Sequence, residues 1–472
     1  MSKQLPFWLF TVSVICALVL SQLVQEGAFM DGMLYVAVSK NFALNNGTFW
    51  NPNLSQTFLS DFHEQPPLYF GLLGGFYKVL GLSIYVERLF CFLCLVLNAF
   101  YIHKLWKAIY KNEAEMVKQS WLPILLWILI PVSFWAYTNH VEETLMSVFT
   151  LASVYYSYQA VQRKQRIILN ILLAGIFIFL SSLTKGIQGL FPLAAVGCYW
   201  LTSKKISFSK MVLYSFFLLL IPTLIYALLL LNTEVYESFK KYFEIRLIGT
   251  FNNVGATTES HFHLLWVLFQ ELLPLFILTA LILFFNRRKK NSHLTSENKQ
   301  TITFFLLIGL AGTLPLMATL EQRGFYIVTA LPFFAIVFAI IIAPYVALFT
   351  EYLYLNKKVF KFFYVSCVLL LVASVVFSMM QLGKYKRYEA LIKDIKLIGT
   401  KVSKNTIIDI PTDMANDWST ICYFIRYDDI SLSFQDTTHS YYVIRKDLPK
   451  TLVPKTFKPT TLTTSELDLY QR

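Results

Sequence analysis

The sequence predicts an all-α polytopic membrane protein, with about eleven transmembrane helices and interfacial juxtamembrane helices, followed by a small α/β extracytoplasmic domain. Three observations predict it. Hydrophobic residues make up 56% of the 472 and charged residues only 15%, and mean hydropathy is +0.54, a membrane-protein composition. The apolar residues fall in blocks that match the roughly 17–25 residues a span needs. Between the blocks, lysines and arginines gather in short clusters, as they do in cytoplasmic loops. The net charge of +13 therefore reads as membrane orientation, and no nucleic-acid-binding module is visible.

Taken in order, the blocks fall near 6–24, 86–106, 120–138, 143–161, 167–183, 187–202, 211–231, 262–285, 300–319, 325–349 and 360–381. The block at 187–202 is the shortest for a crossing. The first block is long for a signal-peptide core and lacks an A-x-A site, so it reads as a retained span. Of the cysteines Cys16, Cys91, Cys94, Cys198, Cys367 and Cys422, all but Cys422 lie in apolar blocks, which argues against a disulfide framework. Cys91 and Cys94 have CxxC spacing, yet inside a span they read as two small apolar residues.

Segment 66–82 is apolar but ambiguous, and charge decides it. With 66–82 on the surface and the N-terminus cytoplasmic, one side holds Lys104/Lys107/Lys111/Lys118, Arg163/Lys164/Arg166, Lys204/Lys205/Lys210, Arg287 to Lys290 and Lys357/Lys358/Lys361. If 66–82 crossed, every later cluster would flip outside, against the positive-inside rule. The segment is therefore expected to lie along the membrane as an interfacial helix.

The stretch around it carries two helix starts. Asp31-Gly32 opens a run from Met33 to Leu44, with Asp31 as N-cap. Pro66-Pro67 opens a second from Leu68 to Leu80, since proline suits a helix's first turn. Asp31 and Glu64 thus stand at two helix heads, a potential pair of carboxylates.

This topology puts 25–85, 139–142, 184–186, 232–261, 320–324 and the tail from 382 on one outer side. There the unusual residues collect: Asp31, Asp61, His63, Glu64, Glu142, Glu143, Lys185, Glu259, His261, His263, Glu321 and Arg323, with Arg88 at the same level. Polar groups gathered at one face suit an enzyme site. The rival class is a lipid or sugar transporter, or a membrane protein whose interfacial helices only bind lipid. A transporter would place such groups near mid-membrane, and no inverted repeat is visible.

The tail changes composition. Thr406 to Ile410 and Tyr441 to Arg445 read as strands, and Asp417 to Arg426 as a helix. The expected division is a membrane domain over 1–383 and a small domain over 384–472.

Each singled-out residue also has a bland reading. Asp31 can be a helix cap or a general base within reach of a hydroxyl. Glu64 can simply favour a helix's positive end, or hold a placed charge. Arg88 can anchor at the interface or bind phosphate. Lys185 can snorkel or contact phosphate. His261 and His263, two apart, point apart on a helix, so one at most would be a ligand. Glu142 and Glu143 suit solvated caps. Asn46-Gly-Thr48 and Asn53-Leu-Ser55 fit the glycosylation sequon, which matters only in a eukaryotic secretory pathway.

The pieces Asp31-Gly32-Met33-Leu34-Tyr35, His63-Glu64-Gln65-Pro66-Pro67-Leu68, Arg88, Thr184-Lys185-Gly186 and Arg323-Gly-Phe-Tyr326 before Leu331-Pro332 occur in order. Together they resemble the C-type (GT-C) glycosyltransferase superfamily, in the protein O-mannosyltransferase and lipid A aminoarabinose transferase group, over roughly residues 1–345. The resemblance implies transfer of a sugar from a polyprenyl phosphate to a lipid, glycan or protein acceptor at the extracytoplasmic face of the cell membrane. It puts the family's first-loop acid on Asp31, as general base in a direct, inverting displacement. It puts the second acid on Glu64, a metal ligand in the aminoarabinose branch together with a later outer-loop histidine, here His261 or His263. A divalent metal is the one cofactor it implies. This chain has Gln65 where that branch has lysine, so the positive charge for the phosphate falls to Arg88, Lys185 or Arg323, with Tyr326 beside them. His63, Glu142 and Glu143 would face the acceptor or support the site.

Overall fold

The computed structural model describes residues 3–251, 255–287, 294–435 and 437–472. Of the cluster Arg287 to Lys290, Arg288, Lys289 and Lys290 lie outside the described residues. Among the described residues eight helical stretches are long and apolar enough to cross a membrane: Leu5–Leu23, Ile84–Ile109, Ile167–Ser203, Phe208–Leu229, His263–Asn286, Ser296–Ala318, Leu331–Leu355 and Lys357–Met379. The expected eleven counts three segments more.

The first is the second half of Ile167–Ser203. A straight helix of 37 residues would run about 55 Å. Instead the helix Ile167–Lys185 ends at Gly186, whose φ is +63°. The chain continues as a 3-10 helix and then the helix Ala195–Ser203. It packs Gly189 back on Ser181, whose carbonyl carbon would lie 2.4 Å from any Cβ there.

The second is 120–138, which breaks into Trp121–Ile128 and Pro131–Ala136. Proline lacks the N–H the helix would use and disfavours helical backbone before it, and Ile130 is extended. Glu271 accepts the Val132 N–H at 2.7 Å, satisfying one amide that the break exposes.

The third, Glu143–Val161, is one helix of 19 residues. Thr144, Ser147, Thr150, Ser153 and Ser157 are all buried along it. Such small polar residues let helices approach closely, at the expense of hydropathy. By contrast Leu68–Leu80 has only 13 residues, about 20 Å of helix, against a hydrocarbon core of about 30 Å.

By internal packing the chain forms two compact units. The first is Met1–Gln22, Cys91–Thr138 and Glu142–Met380; the second is Leu23–Phe90, Asn139–Val141 and Gln381–Arg472. The first unit has Leu331–Leu355 among its most buried helices.

In the second unit the helix Met30–Ala43 begins two residues earlier than Asp31 as cap requires. Phe29, in extended conformation, is the cap, and Asp31 lies in the first turn. Gly32 is carried inside the helix because the Asn139 carbonyl oxygen would sit 1.8 Å from a Cβ at that position. Pro67 is the cap of Leu68–Leu80.

The tail is a small α/β fold. Its strands are β1 Ile407–Asp409, β2 Ser431–Ser433, β3 Tyr441–Arg445, β4 Lys458–Pro459 and β5 Leu467–Gln471, in sheet order β2-β1-β3-β5-β4. β1 pairs parallel with β2 and β3, while β5 pairs antiparallel with β3 and β4. The expected strands and the helix, found at Trp418–Asp428, are present. The helix Glu389–Gly399 and strands β2, β4 and β5 are additional.

Candidate functional site

Two groups of functional side chains stand out, one in each unit. In the second unit Asp31 sits half-buried in the first turn of its helix, where the backbone N–H groups favour a negative charge. The loop Asn139–His140 holds that helix start. Asn139 Oδ1 accepts the Phe29 N–H at 2.9 Å, its carbonyl presses on Gly32, and the Tyr69 hydroxyl donates to the His140 carbonyl at 2.9 Å. His140 takes a left-handed φ of +58°, a conformation that persists where surroundings enforce it. Burial pushes its imidazole toward the neutral form, and the charges of Lys386, Arg88 and Arg426 push the same way.

Arg88 is buried, donates to the Val24 carbonyl at 3.0 Å and lies over the Tyr85 ring at 5.1 Å. Among the described residues it makes no ion pair. His63 is buried too, and its Nε2 lies 2.7 Å from Asp61 and 3.0 Å from Asn51, which orders the loop ahead of the half-buried Glu64.

In the first unit the centre is Lys185, the last residue of its helix. Its Nζ is 2.5 Å from Glu143 Oε1 and 3.9 Å from Glu142 Oε2, and it lies over the rings of Tyr326 and Phe325 at 4.9 and 5.7 Å, within cation–π range. The Tyr326 hydroxyl donates to Glu321 at 2.9 Å, and Arg246 pairs with the same carboxylate oxygen at 2.5 Å. Burial, then the Glu321 charge, raises the Tyr326 phenol well above its usual range, so it stays a donor. Gly186 leaves room for the Tyr242 hydroxyl, which would lie 2.0 Å from a Cβ there. Arg323 is half-buried and, among the described residues, makes no ion pair.

The structure thus brings Lys185, Glu142, Glu143 and Tyr326 together as one network. His261 is exposed, its Nδ1 2.7 Å from the Met317 carbonyl, and His263 is exposed at the start of its helix. Among the described residues no three His, Cys, Asp or Glu side chains gather as a metal-ligand set. Sequence reasoning missed Asn139, His140, Arg246 and Tyr242. Only Arg246 carried a signal, as a cation on a side otherwise poor in them.

Comparison with known proteins agrees with this architecture. Residues 64–230 match the family model described as dolichyl-phosphate-mannose-protein mannosyltransferase. The crystal structure of ArnT from Cupriavidus metallidurans bound to undecaprenyl phosphate superposes with a TM-score of 0.67 at 13% identity, covering 98% of this chain and 97% of that one. The apo structure of the same protein gives 0.66 at 12% identity, with the same coverage. No curated protein matches the sequence. The chain is therefore a polytopic membrane protein with the fold of ArnT, and its 64–230 segment resembles the dolichyl-phosphate-mannose-protein mannosyltransferase family in sequence.

Proposed function

We propose that the chain is a membrane glycosyltransferase that moves a sugar from a polyprenyl-phosphate donor to a hydroxyl acceptor at the extracytoplasmic face. The observation that carries this reading is Asp31, a half-buried carboxylate in a helix's first turn that the Asn139–His140 loop locks in place, within a fold shared with a protein crystallised with undecaprenyl phosphate. In the proposed step the acceptor oxygen attacks the anomeric carbon as the bond from that carbon to the phosphate oxygen breaks. Asp31 takes the hydroxyl proton, polyprenyl phosphate leaves, and the anomeric centre inverts because no enzyme nucleophile intervenes.

Positive charge must meet the leaving phosphate. Lys185 has little to offer, since Glu143 and Glu142 already face it. Arg88, in the same unit as Asp31 and without a carboxylate partner among the described residues, suits the phosphate better. Lys185 and Tyr326 then fix the acids around them, and Glu64 places a charge before the Leu68–Leu80 helix. A divalent ion held at Glu64 would supply a further charge clamp. The described residues build no complete ligand set for it, so the proposed step does not depend on it.

The test is Asp31→Asn. Wild-type enzyme in vesicles should consume one polyprenyl-linked sugar from a total lipid extract of its source cell, and the variant none, because the base acts in the transition state. Both should bind undecaprenyl phosphate within about threefold of each other, about 0.65 kcal/mol. A variant that still turns over the donor rules out this base.

A further inference from the structure

The three stretches of the second unit that carry candidate residues are the Asp31 helix, the Leu68–Leu80 helix behind Glu64, and the head of Ile84–Ile109 with Arg88. One tail helix, Trp418–Asp428, contacts all three. Arg426 Nη2 and Nε donate to Glu87 Oε2 at 2.7 and 3.0 Å, and Nη2 also reaches the Leu82 carbonyl at 3.1 Å. The Tyr77 hydroxyl donates to the same Glu87 oxygen, and the guanidinium lies over the Tyr77 ring at 5.5 Å.

From the Asp31 helix, Lys40 donates to the Ile425 and Arg426 carbonyls at 3.0 and 2.9 Å and pairs with Asp429 at 2.5 Å. It thereby caps the carbonyl end of the tail helix, where cations are favoured. Just before Asp31, the Tyr423 hydroxyl bonds both the Ala28 N–H and its carbonyl, at 2.8 and 3.1 Å. Glu26 receives Tyr427 and Lys396 at 2.9 and 2.7 Å.

Arg426, Glu87 and Lys40 are at most 4% exposed. Buried ion pairs are a weak source of stability compared with apolar residues of the same size, because both ions lose their water. What such a pair does supply is direction: a two-pronged guanidinium accepts one geometry.

We propose that Arg426 is a positioning residue of the donor site. Through Glu87 and Tyr77 it fixes the backbone that presents Arg88, while Lys40 ties the Asp31 helix to the same tail helix. The tail is then part of the frame that aims the phosphate-binding arginine and the base, instead of an accessory that tunes acceptor access. This rests on the glycosyltransferase reading, and the test separates the two.

The full-length protein is compared with Arg426→Gln, Arg426→Lys and the apolar triple variant Arg426→Met/Glu87→Met/Tyr77→Phe. The measurements are thermal unfolding, binding of undecaprenyl phosphate, and hydrogen exchange over residues 30–43 and 77–90. The triple variant should unfold within a few degrees of wild type yet bind undecaprenyl phosphate about tenfold or more weakly, the scale of one lost charge-assisted hydrogen bond. Its amides over 77–90 should exchange faster. Arg426→Lys should fail to restore binding. A stable triple variant with wild-type binding and exchange overturns the proposal, as does full rescue by lysine. If wild-type protein itself does not bind undecaprenyl phosphate, the functional reading fails. The exchange arm still decides the clamp, since unchanged exchange over 77–90 in Arg426→Gln overturns it.

Discussion

Lys185 Nζ lies 2.5 Å from Glu143 Oε1 with both side chains shut away from water, and a second carboxylate, Glu142, is 3.9 Å away. A lysine met by two acids is an organiser of charge more than a donor of it. Removing one partner of a buried pair strands the other, at a cost of about 3–5 kcal/mol. Lys185→Met should therefore destabilise the chain strongly in detergent, and Lys185→Met/Glu143→Gln should recover much of the loss. Thermal unfolding of both variants checks this. A single variant as stable as wild type would mean the network contributes nothing.

A second prediction concerns Gly32. No side chain fits between it and the Asn139 carbonyl, so Gly32→Ala must push the helix start off the Asn139–His140 loop. Helix propensity alone would reward alanine by about 1 kcal/mol. Loss of stability or of donor turnover, despite that gain, is the expected result, and a more stable, fully active variant would show the contact to be slack.

These two contacts mark what the sequence could reveal. Apolar blocks and basic clusters reported the spans because composition and charge act residue by residue along the chain. Lys185 stood out because a lone cation on the outer side is visible in one dimension. The Asp31 helix head was legible, though its cap was misread: an Asp-Gly pair looks like a cap, and only the pressure of Asn139 on Gly32 explains a glycine inside the helix. His140 and Arg426 carried no signal, since their importance comes from partners far away in sequence, Tyr69 and Glu87 among them. The break at Pro131 could have been read from the proline, whereas its carboxylate cap, Glu271, lies 139 residues beyond the Val132 amide it accepts.

The third prediction is pH-dependent. Burial, with the neighbouring Asp429, raises the Asp428 carboxyl to about 6, although the Lys40 charge opposes this. An unfolded aspartate releases its proton near pH 3.9. Between about pH 4 and 6 the folded chain therefore holds a proton that the unfolded chain has lost, and stability falls as pH rises through that window. Asp428→Asn should flatten this part of the stability curve and raise stability at pH 7. Unfolding temperatures at pH 4.5, 5.5 and 7 decide it, and an unchanged slope would show that another group titrates there.

The fourth concerns topology. Basic clusters set orientation, so a reporter fused after Lys290 should read cytoplasmic and one fused after Gly383 extracytoplasmic. Both on one side would break the assignment of Asp31 and Lys185 to the outer face.

The last prediction separates the two readings of Arg88. The residue is only 8% exposed, and its one hydrogen bond among the described residues is to the Val24 carbonyl. An interfacial anchor would turn its head to water, whereas this residue is buried and spends one N–H on a backbone carbonyl. A buried cation without a counter-ion is costly, so removing it should not harm the ligand-free fold. Arg88→Met should leave unfolding temperature equal to wild type or higher, in contrast to Lys185→Met, where a carboxylate is stranded. If a lipid phosphate is the missing counter-ion, the same variant should bind undecaprenyl phosphate about 10–100-fold more weakly, the loss expected for one or two charge-assisted hydrogen bonds. Arg88→Lys, which keeps the charge and loses the fork, should fall between. The pattern to look for is a protein that gains or keeps stability while losing its ligand. If Arg88→Met instead loses stability and keeps binding, Arg88 is a structural residue and the phosphate site lies elsewhere.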